Sequence, residues 1–534
     1  MFFRISIPLI LLLYHVSALW PIPRSLETGT TLLKLADGFD FKLNFDSPPE
    51  DLTNAIARAK DLLMTDNLQI LVPDHGESNR GGLEDAKSLS GLTLALADNA
   101  PAIRPIATEV TDDLHARDES YTLIVPDNGS DAMLRANSSL GLFRGLTTFG
   151  QLWYDLDGTT YTTMAPFTVS NDSPAYPYRG LHLDTSRNFF PVSDIKGTLD
   201  GMSWVKMSTF HWHVTDSQSW PLGIAEFLEL AEKARTRQEK RSVQTTYKKL
   251  LLTQLREEID NPGHTASIAF SHPEHVACFE GTGDVVLEPP LGQLRLASEA
   301  TLNFTLDVLT AVASKLPSKF FHTGGDELNQ PCYNQDQQTQ DELERSGRSL
   351  EDAIGDWVDA THDRLRSIGK TPIVWEEMVL EHNITLKNDT VALVWISSDH
   401  AASVAAKNVR IVHAPLDHFY LAYTFNPLAN ISSSQEYLIL GGQQLLWTEQ
   451  SGPENLDPIM WPRAASSAEV FWTGPTLPDG SERVAAIAGR NKMAKTEVLG
   501  RIHDLRARLA ARGIRAINIQ PKYCQLRPER CLNE

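Results

Sequence analysis

The run Lys319-Phe320-Phe321-His322-Thr323-Gly324-Gly325-Asp326-Glu327 ends a short aromatic strand with two glycines and two adjacent carboxylates. On a regular strand Asp326 and Glu327 would point to opposite faces, whereas a turn freed by glycine lets both aim into one pocket. Carboxylates that close cannot both ionise cheaply, so burial and repulsion should raise one pKa and keep a proton available. The chemistry on offer is an acid beside an anion. The plainer reading is a Gly-Gly turn ahead of an Asp N-cap. Only the rest of the chain decides between the two.

Around this run the text alternates apolar strands with helical segments. Arg179 to Leu183, Thr209 to Val214, Lys319 to His322, Pro372 to Trp375, Val391 to Trp395 and Arg410 to His413 read as strands. Strand followed by helix at this length predicts a parallel α/β architecture, most economically a (β/α)8 TIM barrel. The polar and aromatic residues of interest fall just after these strands, where a barrel keeps its active site. Ahead of them, Tyr121 to Val125 reads as a strand and Ser138 to Trp153 as a helix. These predict a small α+β domain ending in the Pro-rich stretch from Asn171 to Pro177.

The chain has 534 residues, 42% hydrophobic and 22% charged, with a formal charge of -20. That length favours two domains, and that charge argues against nucleic acid and anionic membranes as partners. Arg4, the apolar run Ile5 to Leu13 and Val16-Ser17-Ala18 have the three parts of a secretory signal, too short for a stable membrane span. The expected organisation is a signal over 1–18, an α+β domain over 19–172 and the catalytic barrel over 173–534, in a secreted protein. Cys278, Cys332, Cys524 and Cys531 suit an oxidising compartment and permit two disulfides in any of three connectivities, with Cys524 and Cys531 placed to clip the tail. Sequons stand at Asn128, Asn137, Asn171, Asn303, Asn383, Asn388 and Asn430.

In order, the strand ends carry Asp184-Thr185-Ser186-Arg187, His211-Trp212-His213-Val214-Thr215-Asp216, Pro262-Gly263-His264, Gly324-Gly325-Asp326-Glu327, Val374-Trp375-Glu376-Glu377, Val394-Trp395, Phe419-Tyr420 and Leu446-Trp447-Thr448-Glu449. In this order the motifs resemble the β-N-acetylhexosaminidases of glycoside hydrolase family 20, secreted fungal members most of all, over nearly the whole mature chain. The resemblance implies an exo-acting, cofactor-free hydrolase that removes terminal N-acetylhexosamine by substrate-assisted catalysis. It makes Glu327 the general acid and Asp326 the carboxylate that steadies the substrate acetamido group. Tyr420 becomes the donor to the acetamido oxygen, and Asp216 with His264 a relay to the acid. Trp375, Trp395 and Trp447 match the family's aromatic walls, and Arg187 and Glu449 its hydroxyl-binding residues. For Arg187 the rival is a structural ion pair. Relatives in the family are often dimers, so the resemblance leaves a homodimer open, with no independent signal in this chain.

Two segments depart from the pattern. Between Ala231 and Glu258, where an apolar strand is expected, the text is polar, from Lys233-Ala234-Arg235 onward. The barrel is therefore expected to be incomplete, unless Lys248 to Leu255 serves. After Tyr420 the family's Leu-Asp is Leu421-Ala422, so a substrate-binding carboxylate is missing. These departures leave a catalytically impaired glycan-binding protein as the alternative, and a glycosidase with its own protein nucleophile as a third reading. His211 and His213 share a strand face, but the sequence offers no third ligand nearby, so no metal is expected.

Overall fold

The computed structural model describes residues 19–234, 254–279, 289–382, 384–419, 431–432, 434–481, 483 and 492–531. Six strands build the N-terminal sheet: β1 (Glu27–Leu43), β2 (Lys87–Leu96), β3 (Tyr121–Val125), β4 (Ala132–Ala136), β5 (Tyr154–Leu156) and β6 (Thr159–Asp172). Their order is β1-β2-β4-β3-β6-β5, and β1 also pairs antiparallel with β6. The helix expected near Ser138 runs Ser139–Gly150, and the Ser138 hydroxyl caps it by accepting from the Gly141 N–H. Leu140, Leu142 and Leu146 on that helix pack with Leu92, Leu123 and Phe167 of the sheet to form the first core.

The barrel is closed. Its strands are β7 (Tyr178–Asp184), β8 (Thr209–Thr215), β9 (Gln254–Ile259), β12 (Phe320–His322), β13 (Thr371–Trp375), β14 (Val391–Val394), β15 (Arg410–His413) and β16 (Ile439–Gln444). Between β9 and β12 a small ribbon, β10 (Val276–Ala277) with β11 (Gln293–Leu294), decorates one rim. The expected gap is corrected by β9, which pairs in parallel with β8 along Gln254 to Ile259 and joins β12 at Glu258 and His322. Its text, Gln-Leu-Arg-Glu-Glu-Ile, did not look like a buried strand because three successive residues carry charge. Arg256, Glu257 and Glu258 are nevertheless fully buried. The segment 235–253 lies outside the described residues, as do Tyr420 and Ala422.

Strand alternation separates two environments. Leu181, Leu183, Phe210, Trp212, Val214, Ile259, Phe321 and Val374 point outward to the helices and belong to the main core. The opposite faces fill the barrel. Tyr178, Phe320, Ile373, Val391 and Val412 form an apolar floor, and above them come His182, His211, His213, Glu258, His322 and Gln443, all buried. A barrel interior packed in layers is thus apolar below and ionisable above.

Two disulfides are present, Cys278–Cys332 and Cys524–Cys531. The second follows the C-terminal helix Lys492–Ala511 and clips the tail, as its spacing suggested. No helix among the described residues is long and apolar enough to cross a membrane.

Candidate active site

The Gly-Gly turn after β12 is required by one neighbour. A Cβ on Gly324, at φ +70°, would sit 1.5 Å from Asp260 Oδ1, and the Gly325 N–H donates to that same oxygen at 3.0 Å. Only a bare backbone fits against this carboxyl. The turn leaves Asp326 buried at 7% exposure, while the Glu327 side chain is 40% exposed. The N-cap reading therefore fails: the two carboxylates face one site.

The two carboxyls are shifted in opposite directions, and the raised one is not the residue expected to act as the acid. Burial first, then the Asp260 charge, raises Asp326 well above the usual carboxylate range, and burial pushes Asp260 up to about 6. Carboxyl oxygens of these two aspartates and a ring nitrogen of His264 lie within 4.8 Å of one another. They titrate as a pair that resists giving up its second proton. Glu327 goes the other way. The His264 imidazole, with Nε2 3.4 Å from Oε2, holds it below its ordinary value against the effect of burial.

A chain of charges lies behind His264. Its Nδ1 is 3.4 Å from Asp216 Oδ1; burial disfavours its cation, but Asp216 and Asp326 outweigh that and raise its pKa well above the ordinary value. Asp216 Oδ2 faces Arg187 Nη2 at 3.0 Å and His213 Nε2 at 2.7 Å. Arg187 also lies 3.4 Å from Asp184, so the structural ion pair is real. The same guanidinium stands 4.9 Å over the Trp447 ring. Its ion pairs and the Trp447 contact therefore coexist.

The three tryptophans form one wall. Trp375 lies 6.4 Å from Trp395 and 5.8 Å from Trp447 between ring centroids. Trp375 is buried and donates its indole N–H to Glu258 Oε1 at 2.8 Å. Trp395 donates its own to Glu377 at 3.0 Å, and burial first, then Asp326, pushes that carboxyl up to about 9. Glu449 stands exposed beyond Thr448, whose hydroxyl and N–H hold Asp184. Asp260, Glu258 and Glu377 were given no role from the sequence. Glu377 lay within the quoted motif Val374-Trp375-Glu376-Glu377, and Asp260 stands two residues ahead of Pro262-Gly263-His264.

The expectation that the paired histidines lack a third partner is corrected. His182, His211 and Glu258 bring ligand-capable atoms within 4.8 Å of one another. Glu258 is already engaged by His213 and Trp375, which leaves this cluster reading as a buried polar network.

Residues 176–430 and 422–475 match the model of the glycosyl hydrolase family 20 catalytic domain, and 19–152 match a beta-acetyl hexosaminidase like domain. The chain belongs to glycosyl hydrolase family 20. It is 32% identical over 470 residues to a beta-hexosaminidase of Arthroderma benhamiae, covering 78% of this chain and 74% of the relative. A chitooligosaccharidolytic beta-N-acetylglucosaminidase of Bombyx mori is 28% identical, with 95% and 87% covered. In fold it is similar to a Flavobacterium johnsoniae chitobiase at TM-score 0.71 and 22% identity, covering 94% of this chain and 74% of that one. A Vibrio harveyi family 20 exo beta-N-acetylglucosaminidase superposes equally well, at 21% identity with 94% and 79% covered. Membership makes the chain a glycosidase of the β-N-acetylhexosaminidase class.

Proposed function

We propose that the enzyme removes terminal non-reducing N-acetyl-β-D-hexosamine from chitin oligomers and glycans, with the substrate's own acetamido oxygen as nucleophile. The observation that carries this is the pairing of an exposed Glu327 with a buried Asp326 backed by Asp260. Asp326 adjoins Glu327 in the chain and lies with Asp260 and His264, too close to the acid to attack from the opposite face of the sugar as a protein nucleophile would. The Asp326–Asp260 pair, sharing a proton, keeps one negative charge for the cationic oxazolinium and can accept the acetamido N–H. Glu327 and His264 hold one proton between them. As a sugar and its aglycone displace water from Glu327, the neutral carboxylic acid becomes the favoured form and can protonate the leaving oxygen. The tryptophan wall offers indole faces to the pyranose and the acetamido methyl. Arg187 and Glu449 are assigned to the sugar hydroxyls, and Tyr420 to the acetamido oxygen.

The test is hydrolysis of a chromogenic N-acetyl-β-D-glucosaminide beside the matching β-D-glucoside. Turnover confined to the acetamido substrate is expected, with tight binding of a thiazoline that mimics the oxazolinium. Comparable turnover of the glucoside would overturn the mechanism.

The division into a signal over 1–18 and domains over 19–172 and 173–534 belongs to the same reading, as does secretion. The two disulfides and the fungal relatives support the secretory route. Asn128, Asn171, Asn303 and Asn388 are exposed and open to glycosylation, whereas the Asn137 amide donates to Asp118. A loss of mass on deglycosylation checks it.

A further inference from the structure

His213 has no part in the roles above, yet both its ring nitrogens meet carboxylates. Nδ1 is 2.6 Å from Glu258 Oε2, and Nε2 is 2.7 Å from Asp216 Oδ2. A neutral imidazole carries one N–H and could serve only one of them. Neither acid has reason to hold a proton of its own: Asp216 also faces Arg187 and His264, and Glu258 Oε1 accepts from Trp375. The ring is therefore an imidazolium, and both flanking carboxylates raise its pKa well above the ordinary value although burial opposes them.

The surroundings add no competing charge. From β7 come His182, 5.9 Å away between ring centroids, and Asp184, which is bound to Thr448. On β8 His211 accepts at Nδ1 from the Gln443 amide, which leaves its proton on Nε2, 3.2 Å from Glu258 Oε2. From β12 His322 Nδ1 stands 3.0 Å from both the Gly324 N–H and Glu258 Oε1, so Glu258 is faced by His322 as well as by His211 and His213. Burial disfavours the cationic forms of His211 and His322, and the Trp447 ring stands 4.9 Å from His213 between centroids.

The clamp has a geometric consequence for Asp216. With His213 and Arg187 on Oδ2, its other oxygen is left for the Ser217 N–H at 2.5 Å and for His264. We propose that His213 is a positioning residue for the acid. Held between Glu258 and Asp216, it commits one oxygen of Asp216 to the barrel and turns the other toward His264, which in turn faces Glu327. The proposal rests on reading Glu327 as the general acid.

The experiment takes His213→Gln and Glu258→Gln, each alone and in an Asp216→Asn background. Each is assayed on chitobiose, a poor leaving group, and on a dinitrophenyl N-acetylglucosaminide. Each single variant should lose about 10- to 100-fold in kcat on chitobiose and much less on the activated substrate, with KM nearly unchanged. In the Asp216→Asn background the added change should cost no more than about twofold, because it acts through a residue already disabled. Equal losses on both substrates, or a full further loss in that background, would overturn the proposal. If His213→Gln does not fold, Glu258→Gln carries the same test from the far side of the clamp. Nitrogen-15 spectra of the histidines in the unsubstituted protein give an independent reading. An imidazole with both nitrogens protonated from about pH 6 to pH 8.5 is expected beside that of His264, and its absence sinks the clamp. Glu327→Gln is assayed alongside. If it shows no leaving-group dependence the acid assignment fails, and the spectra still decide whether His213 is held as described.

Discussion

Glu327 and Asp326 are neighbours in sequence and opposites in environment. One stands at the mouth of the site beside an imidazole, the other lies buried against Asp260. Glu327→Gln is expected to slow hydrolysis of poor leaving groups by about 10²- to 10⁴-fold, and of an activated phenol by much less, since less proton transfer is needed. Asp326→Asn should slow both alike, because it acts on the acetamido group whatever leaves. Steady-state kcat on the two substrates separates these patterns. An equal loss for Glu327→Gln removes the acid role.

At the scale of one element, β9 explains why a charged strand can close a barrel. Glu258 points into the polar upper layer and is surrounded by donors. Arg256, two residues earlier and on the same face, reaches the apolar floor. There its guanidinium lies 4.5 Å from the Tyr178 ring and 5.2 Å from that of Phe320, with no hydrogen bond among the described residues. Cation–π contact offsets part of the cost of burying that charge. A hydrophobic side chain of similar length should do as well. Arg256→Met is expected to leave stability unchanged or to raise it by about 1–4 kcal/mol, whereas Arg256→Ala should lower it by leaving a cavity. Thermal melts of both decide. If Met is as damaging as Ala, the guanidinium has a partner that the described residues do not show.

Across the whole molecule the sheet unit and the barrel are joined by buried ion pairs as well as by packing. Glu119, just before β3, lies 2.7 Å from Arg144 on the helix Ser139–Gly150 and 2.6 Å from Arg179 on β7. Glu469 likewise holds Arg501 and Arg483 near the N-terminal stretch. Burial raises both carboxyls, but the arginines outweigh it and each ends at about 2. A carboxyl depressed on folding contributes stability that is complete above its unfolded value of 4.5 and lost as pH falls toward 2. Glu119→Gln should therefore cost about 3–5 kcal/mol at neutral pH, because two buried cations lose their partner. It should also flatten the decline between pH 4.5 and 2, leaving the share due to Glu469. Denaturant titrations at a series of pH values measure both effects.

By itself the sequence determined the family order of motifs, the alternation of strands and helices, and the residues that could act as acid, anion and aromatic wall. Each of these is written in local spacing. A strand ending in Gly-Gly-Asp-Glu, or a tryptophan just after a β-branched run, announces its place on a barrel rim without knowledge of its neighbours. Only the tertiary structure decided what depends on partners distant in the chain. It showed that Gln254–Ile259 closes the barrel, because burial of Arg256 and Glu258 is affordable only with Tyr178 on one side and His213 on the other. It also set the opposite pKa directions of Asp326, pushed up, and Glu327, held down, because Asp260 and His264 reach these carboxyls from another strand end. Periodicity records which face a residue occupies; the charge it meets on that face is set by the fold.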